Sequence, residues 1–166
     1  MRPEQVDAML KSYRACAARC AYIDAIIPVK HQQIERLREN IIADSVHITQ
    51  TITDMPRGGG ISDPTATLAV KVAGGYETPE LLAARNEVKV LEAERAEKSL
   101  TVVLVPAWLE ALNDRQRFVV RRHVIDGAYW RDVLKDFQGE FGEAYSLQGL
   151  KRIQAKALEK IYEVAE

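Results

Sequence analysis

The sequence predicts an all-α protein: a long helical hairpin or coiled coil at the amino-terminal end, followed by a compact three-helix module. Two observations predict this. Apolar residues recur every seventh position through the amino-terminal third, and the carboxy-terminal part divides into three short amphipathic segments punctuated by glycine and capping residues. At 166 residues the chain suits one ordinary domain, or one small domain with an extended accessory element.

The first helix is expected from about Pro3 to Ile52. Val6, Tyr13, Cys20, Ile27, Ile34, Ile41 and Ile48 form one row of its seam, and Met9, Cys16, Ile23 and Leu37 form a second. Lys30 and Asp44 interrupt the second row, and Pro28 should kink the helix or split it into two in line. At 1.5 Å per residue a continuous version would reach roughly 70 Å, too long for the interior of so small a domain. It needs a partner helix.

That partner is expected from Thr78 to about Leu104. Thr78 supplies a capping hydroxyl and Pro79 a proline in the first turn. Leu81, Ala84, Val88, Leu91, Val102 and Val105 carry heptad-like spacing, with Arg95 and Lys98 interrupting it. The seam fits an antiparallel hairpin within one chain and a homodimeric coiled coil equally well. Between the two helices lies "MPRGGGISDPTA", Met55 to Ala66, which lacks the Gly-Lys-Ser/Thr of a phosphate-binding loop. A turn at Gly58 to Gly60 is expected, then a short helix capped by Asp63 and ending near Gly74 and Gly75. Residues 1–105 therefore form a long-helix oligomerisation region containing the glycine-rich loop 55–66, and residues 106–166 a second domain.

In that second domain, Asn113 and Gln116 make a capping box beside Leu112, and a helix follows through Phe118, Val119 and Ile125 to a break at Asp126-Gly127. A short second helix starts near Tyr129 and carries Trp130, Val133, Leu134 and Phe137. Trp130 is expected to pack against Phe118 and Ile153. A third helix starts at the Ser146 cap with Leu147, Leu150, Ile153, Ala157, Leu158 and Ile161 on its buried face. This is the plan of a helix-turn-helix module.

Charge tests that plan. The whole chain has 23 basic and 24 acidic side chains and a net charge of -1, so polyanion binding requires a local patch. From Tyr145 to Ile161, Lys151, Arg152, Lys156 and Lys160 face Glu159 as the sole acid. A second basic cluster, Arg115, Arg117, Arg121 and Arg122 against Asp114, lies in the first helix of the module.

The run "LEALNDRQRFVVRRHVIDGAYWRDVLKDF...YSLQGLKRIQAKALEKI" resembles region 4 of sigma-70-type factors. It is more similar to the sigma-like module of phage and prophage transcription regulators of the ArpU/RinA type. Their "RYIDG" matches "RHVIDG" from Arg122 to Gly127, and their "SWREIA" matches "YWRDVL" from Tyr129 to Leu134. The ending "AL.KI" matches Ala157, Leu158, Lys160 and Ile161. "ITDMPRGGGISDPTA" before a helix is also similar to phage proteins of this kind. Two departures stand out: "FQGEFGEAYS", Phe137 to Ser146, is longer than the family's turn, and Gly149 lowers helix propensity by about 1 kcal/mol relative to alanine.

The resemblance implies a sigma-like transcription regulator that activates a late packaging or lysis operon, with double-stranded DNA and RNA polymerase as partners. By helix face, Gln148, Lys151 and Arg152 are the candidate base readers, glutamine for adenine and the cations for guanine. Ser146, Lys156, Arg115, Arg121 and Arg131 are the candidate phosphate contacts. A small terminase-like packaging or structural subunit is the second reading, and an interaction protein with a silent module the third. Oligomer size separates the first two: a dimer suits a promoter dyad, a larger ring suits packaging.

Other chemistry is weakly signalled. Cys16 and Cys20 could join His31 or His47 at a metal, but both fall on the apolar seam, where cysteine acts as a small hydrophobe. His123 shares no motif with them, and no nucleophile is paired with a base, so neither enzyme activity, cofactor nor metal is expected. Without a secretory leader pattern or an apolar run of about 18 residues, a cytoplasmic chain with reduced thiols and no membrane partner is expected.

Overall fold

The computed structural model describes residues 1–52 and 78–165, and among them regular structure is helical with no strand. The helices are α1 (Pro3–Ile52), α2 (Pro79–Glu110), α3 (Asp114–Val119), a π-helical segment (Val120–Ile125), α4 (Trp130–Phe141) and α5 (Leu147–Ala165). The glycine-rich loop 55–66, the short helix expected from Asp63, and the side chains of Ile48 and His47 lie outside the described residues. No described helix is long and apolar enough to cross a membrane.

The chain forms two compact units, Met1–Tyr22 with Glu94–Glu166, and Ile23–Ala93. Where the sequence suggests a boundary at 105/106, the two units divide between Tyr22 and Ile23 of α1 and between Ala93 and Glu94 of α2. The reason is a shared core in the first unit. Val6 and Leu10 of α1, Val105, Trp108 and Leu109 of α2, Leu112, Val120, Ile125, and Ala157 and Ile161 of α5 are buried together. Each large side chain withdrawn from water there contributes about 1.5–3 kcal/mol. The module is therefore built onto the ends of the long helices.

Polar contacts reinforce that unit. Arg19 donates to both carboxylate oxygens of Glu94, at 2.9 and 2.7 Å, and its guanidinium lies 5.1 Å from the Tyr22 ring centroid. The hydrogen bonds hold Glu94 below its ordinary carboxylate range and raise Arg19 further. Tyr162 donates to Asp7 Oδ1 at 2.8 Å, and burial, with the Asp7 hydrogen bond adding to it, pushes the phenol up to about 12.

In the second unit Ile34 packs with Leu81, Ala84 and Val88, flanked by Leu37 and Ile41. Lys30 donates to Glu87 at 2.9 Å, which accounts for the lysine in the seam. Thr78 Oγ1 accepts from the Leu81 N–H at 3.2 Å, the cap anticipated at that position.

Both long helices contain proline and continue through it. α1 is unbroken across Pro28, so the alternative of two helices in line is excluded. Pro28 is exposed, and a single lost backbone bond on a solvent-facing side is tolerable. α2 passes Pro106 and ends at Glu110 rather than near Leu104, because Val105, Trp108 and Leu109 are buried in the shared core.

Candidate nucleic-acid interface

The module begins where α2 ends. Asn113 Oδ1 accepts from the Gln116 N–H at 2.9 Å, and Gln116 Oε1 accepts from the Asn113 N–H at 3.3 Å, completing the capping box. One turn later Arg117 donates from Nε to the Leu109 carbonyl at 3.0 Å and from Nη2 to the Leu112 carbonyl at 3.1 Å. Those carbonyls lie at the end of α2, where the Leu109 carbonyl also accepts from the Leu112 N–H at 3.2 Å, so Arg117 adds side-chain donors to the last turn.

After Val119 the backbone widens into a π turn, with the Asp126 N–H donating to the Arg121 carbonyl at 2.9 Å. Gly127, at φ 70°, takes the left-handed conformation that reverses the chain. Arg122 ties the two sides of this turn, bonding Asp136 on α4 and lying 3.5 Å from Asp126 Oδ2. The Asp136 bond, foremost, raises the guanidinium further above its ordinary value. His123 approaches the Ala128 carbonyl through Nδ1 at 2.9 Å, which places its proton on that nitrogen, and its ring lies 3.9 Å from the Trp130 ring centroid.

α4 extends to Phe141, and Gly142 at φ 67° caps it in the left-handed conformation. The long connection expected from Phe137 to Ser146 is corrected accordingly: helix occupies its first half. The cause is aromatic packing. Phe118, Phe137 and Phe141 meet with ring centroids 4.6 to 5.7 Å apart, and Tyr145 stands edge-on to Phe137 at 5.1 Å. With Val119, Val133 and Leu150 fully buried beside Phe137, these rings form the core that fixes α3, α4 and α5. Trp130, Phe118 and Ile153 are each half-buried at the border of this core, and the ring that meets Trp130 is His123.

α5 opens at Ser146, whose Oγ accepts from the Gly149 N–H at 3.1 Å. Gly149 sits close under Tyr145: a Cβ there would lie 3.1 Å from the ring's Cδ1, so a side chain would require the ring to shift by a few tenths of an ångström. Leu150, Ala157 and Ile161 are buried, with Ile153 and Leu158 half-buried. Leu147 departs from the expected buried face and is 42% exposed.

The candidate contact residues fall into distinct groups. Ser146, Gln148, Lys151, Arg152 and Lys156 are all exposed along α5, and Arg131 is exposed in the first turn of α4. Among the described residues, no ion pair holds Lys151, Arg152, Lys156 or Arg131. Arg115 is exposed but engaged, donating to Glu143 at 2.5 Å and to the Tyr145 hydroxyl at 3.3 Å. Arg121 is exposed at the mouth of a cleft with Tyr13 and Arg14 of α1 and Pro106 and Glu110 of α2. No α5 residue lines that cleft, whose arginines Arg14, Arg117 and Arg121 are mixed with Glu110 and Asp126, so Arg121 belongs to a surface of mixed charge apart from α5.

Tyr129, 82% exposed at the N-cap of α4, and Leu147 are among the exposed apolar residues of the module, with Val164 near the end of α5. Leu147 stands where the helical period assigns an inward residue, whereas Tyr129, as N-cap, precedes the helix. Of the candidate thiols, Cys16 is half-buried and Cys20 buried in the seam. Compared with protein-family models, curated proteins and solved structures, the chain matches none.

Proposed function

We propose that this chain is a DNA-binding transcription regulator of the phage and prophage kind, reading duplex DNA with a sigma-like helix-turn-helix made of α3, α4 and α5. The observation that carries the reading is the outer face of α5. Lys151, Arg152, Lys156 and Lys160 stand exposed there, while the opposite face is seated in two cores. A chain with net charge -1 has gathered cations on one helix and left them without internal partners. Gln148, Lys151 and Arg152 sit in the first turns, the part of such a helix that meets base edges. Ser146, Lys156 and Arg131 flank them for phosphates.

The long helices supply the second half of the reading. The Arg19–Glu94 and Lys30–Glu87 pairs favour a hairpin within one chain. Leu100 and Val103 of α2 are 56% and 66% exposed, which favours a second copy covering them. Regulation of a late operon and contact with RNA polymerase belong to this same reading through the sequence resemblance.

Selection from a randomised duplex pool, followed by titration at two salt concentrations, tests the proposal. The wild-type chain should enrich one sequence and lose affinity as salt rises. Lys151→Ala with Arg152→Ala should weaken specific binding by roughly 2–6 kcal/mol, about 1–3 per lost base contact. Unchanged affinity and salt dependence in the double variant would remove α5 as the reader. A ring of eight or more copies in solution would transfer the proposal to a small terminase-like packaging subunit, whereas a dimer supports the promoter reading.

A further inference from the structure

We infer that Leu147 is a specificity-determining residue that reads the 5-methyl group of a thymine, an inference that rests on the DNA-reading role proposed for α5. Leu147 is the first residue of α5, directly after the Ser146 cap. Its neighbours on the helix surface are Gln148 and, one turn on, Lys151, both exposed.

An aliphatic side chain at this place would ordinarily turn inward. Here the apolar ground beside it is already occupied: Tyr145 stands edge-on to Phe137 at 5.1 Å and closes over Gly149, while Leu150 fills the buried position on the next turn. Leu147 is left 42% exposed. Side chains in the first turn of a helix lean toward its amino-terminal end, so Leu147 is carried toward the end that approaches the base edges.

The chemistry of that location selects one ligand group. Major-groove edges present donors and acceptors at every base pair, but a single apolar feature, the C5-methyl of thymine. Gln148 can hydrogen-bond adenine and Lys151 and Arg152 guanine, whereas Leu147 can gain free energy only by removing a methyl group and itself from water. It is therefore suited to the thymine of an A·T pair next to a base read by Gln148 or Lys151.

Replacing thymine by deoxyuridine deletes that methyl and changes no hydrogen bond, so the perturbation lies in the DNA and cannot disturb folding. Each thymine of the selected duplex is replaced in turn, and Kd is measured for the wild type and for Leu147→Ala. One replacement should weaken wild-type binding by about fourfold, the factor set by burying one methyl group, and should have no effect on Leu147→Ala. An enriched sequence with no sensitive thymine, or a sensitivity that persists in Leu147→Ala, overturns the assignment of Leu147 while leaving α5 as the reader. No enriched sequence at all overturns both.

Discussion

Replacing Arg117 by methionine would keep the aliphatic stem and delete both donors to the end of α2. The guanidinium makes two hydrogen bonds, to the Leu109 and Leu112 carbonyls at 3.0 and 3.1 Å, and lies 3.8 Å from Asp114. Its side chain is 35% exposed, so water can reach part of the site once the group is gone. A charge-assisted bond is worth about 1.5–3 kcal/mol. Taking the lower figure for each of two and discounting for exposure leaves a loss of about 2 kcal/mol. For a chain of this length each kcal/mol moves Tm by about 2–4 °C, so Arg117→Met should melt about 4–8 °C below wild type. Arg117→Lys, which can restore one of the two bonds, should recover roughly half of that loss. Calorimetry with parallel urea unfolding provides the measurement. If Arg117→Met melts within about 1 °C of wild type, the two bonds do not fasten the module to α2 and the reasoning fails.

Three other outcomes follow from the same geometry. Glu143→Gln releases Arg115 from its exposed partner. It should change stability by less than about 1 kcal/mol while steepening the salt dependence of duplex binding by about one ion, an effect cancelled by adding Arg115→Ala and read by fluorescence anisotropy. Phe137→Ala removes the fully buried centre of the aromatic core and should cost about 3–5 kcal/mol in urea unfolding, whereas Phe137→Leu should cost under about 1.5. Tyr162 has a phenol raised to about 12 in the folded chain against an ordinary value near 10, so its stabilising contribution is complete below about pH 10 and is lost as pH rises toward 12. Ultraviolet titration should find one late-ionising tyrosine that disappears in Tyr162→Phe.

Local signals in the sequence located most helix starts. Thr78, the Asn113–Gln116 box and Ser146 all cap as their side chains dictate, because capping depends on residues within one turn. Helix ends were harder. α2 and α4 run past their expected limits because Trp108 and Phe141 find partners distant in sequence, which no local pattern encodes. The seven-residue seam omitted Leu10, which is fully buried, since the wall it packs against includes α5 as well as α2. The candidate interface divides in the same way. Exposure of Lys151, Arg152 and Gln148 follows from helical periodicity, whereas the engagement of Arg115 by Glu143 and the separate location of Arg121 depend on how the helices meet.

The core joining α1, α2 and α5 also imposes an order in time. Asp7 and Tyr162 are hydrogen-bonded across 155 positions of sequence, and Val6 and Leu10 share their burial with Ala157 and Ile161. During synthesis the early apolar side chains emerge long before their last partners, so that core cannot close until Ala157 and Ile161 have left the ribosome. Until then Val6 and Leu10 lack the partners that bury them, so this core forms only after a stretch of about 150 residues has been made, a contact of high sequence separation and slow closure.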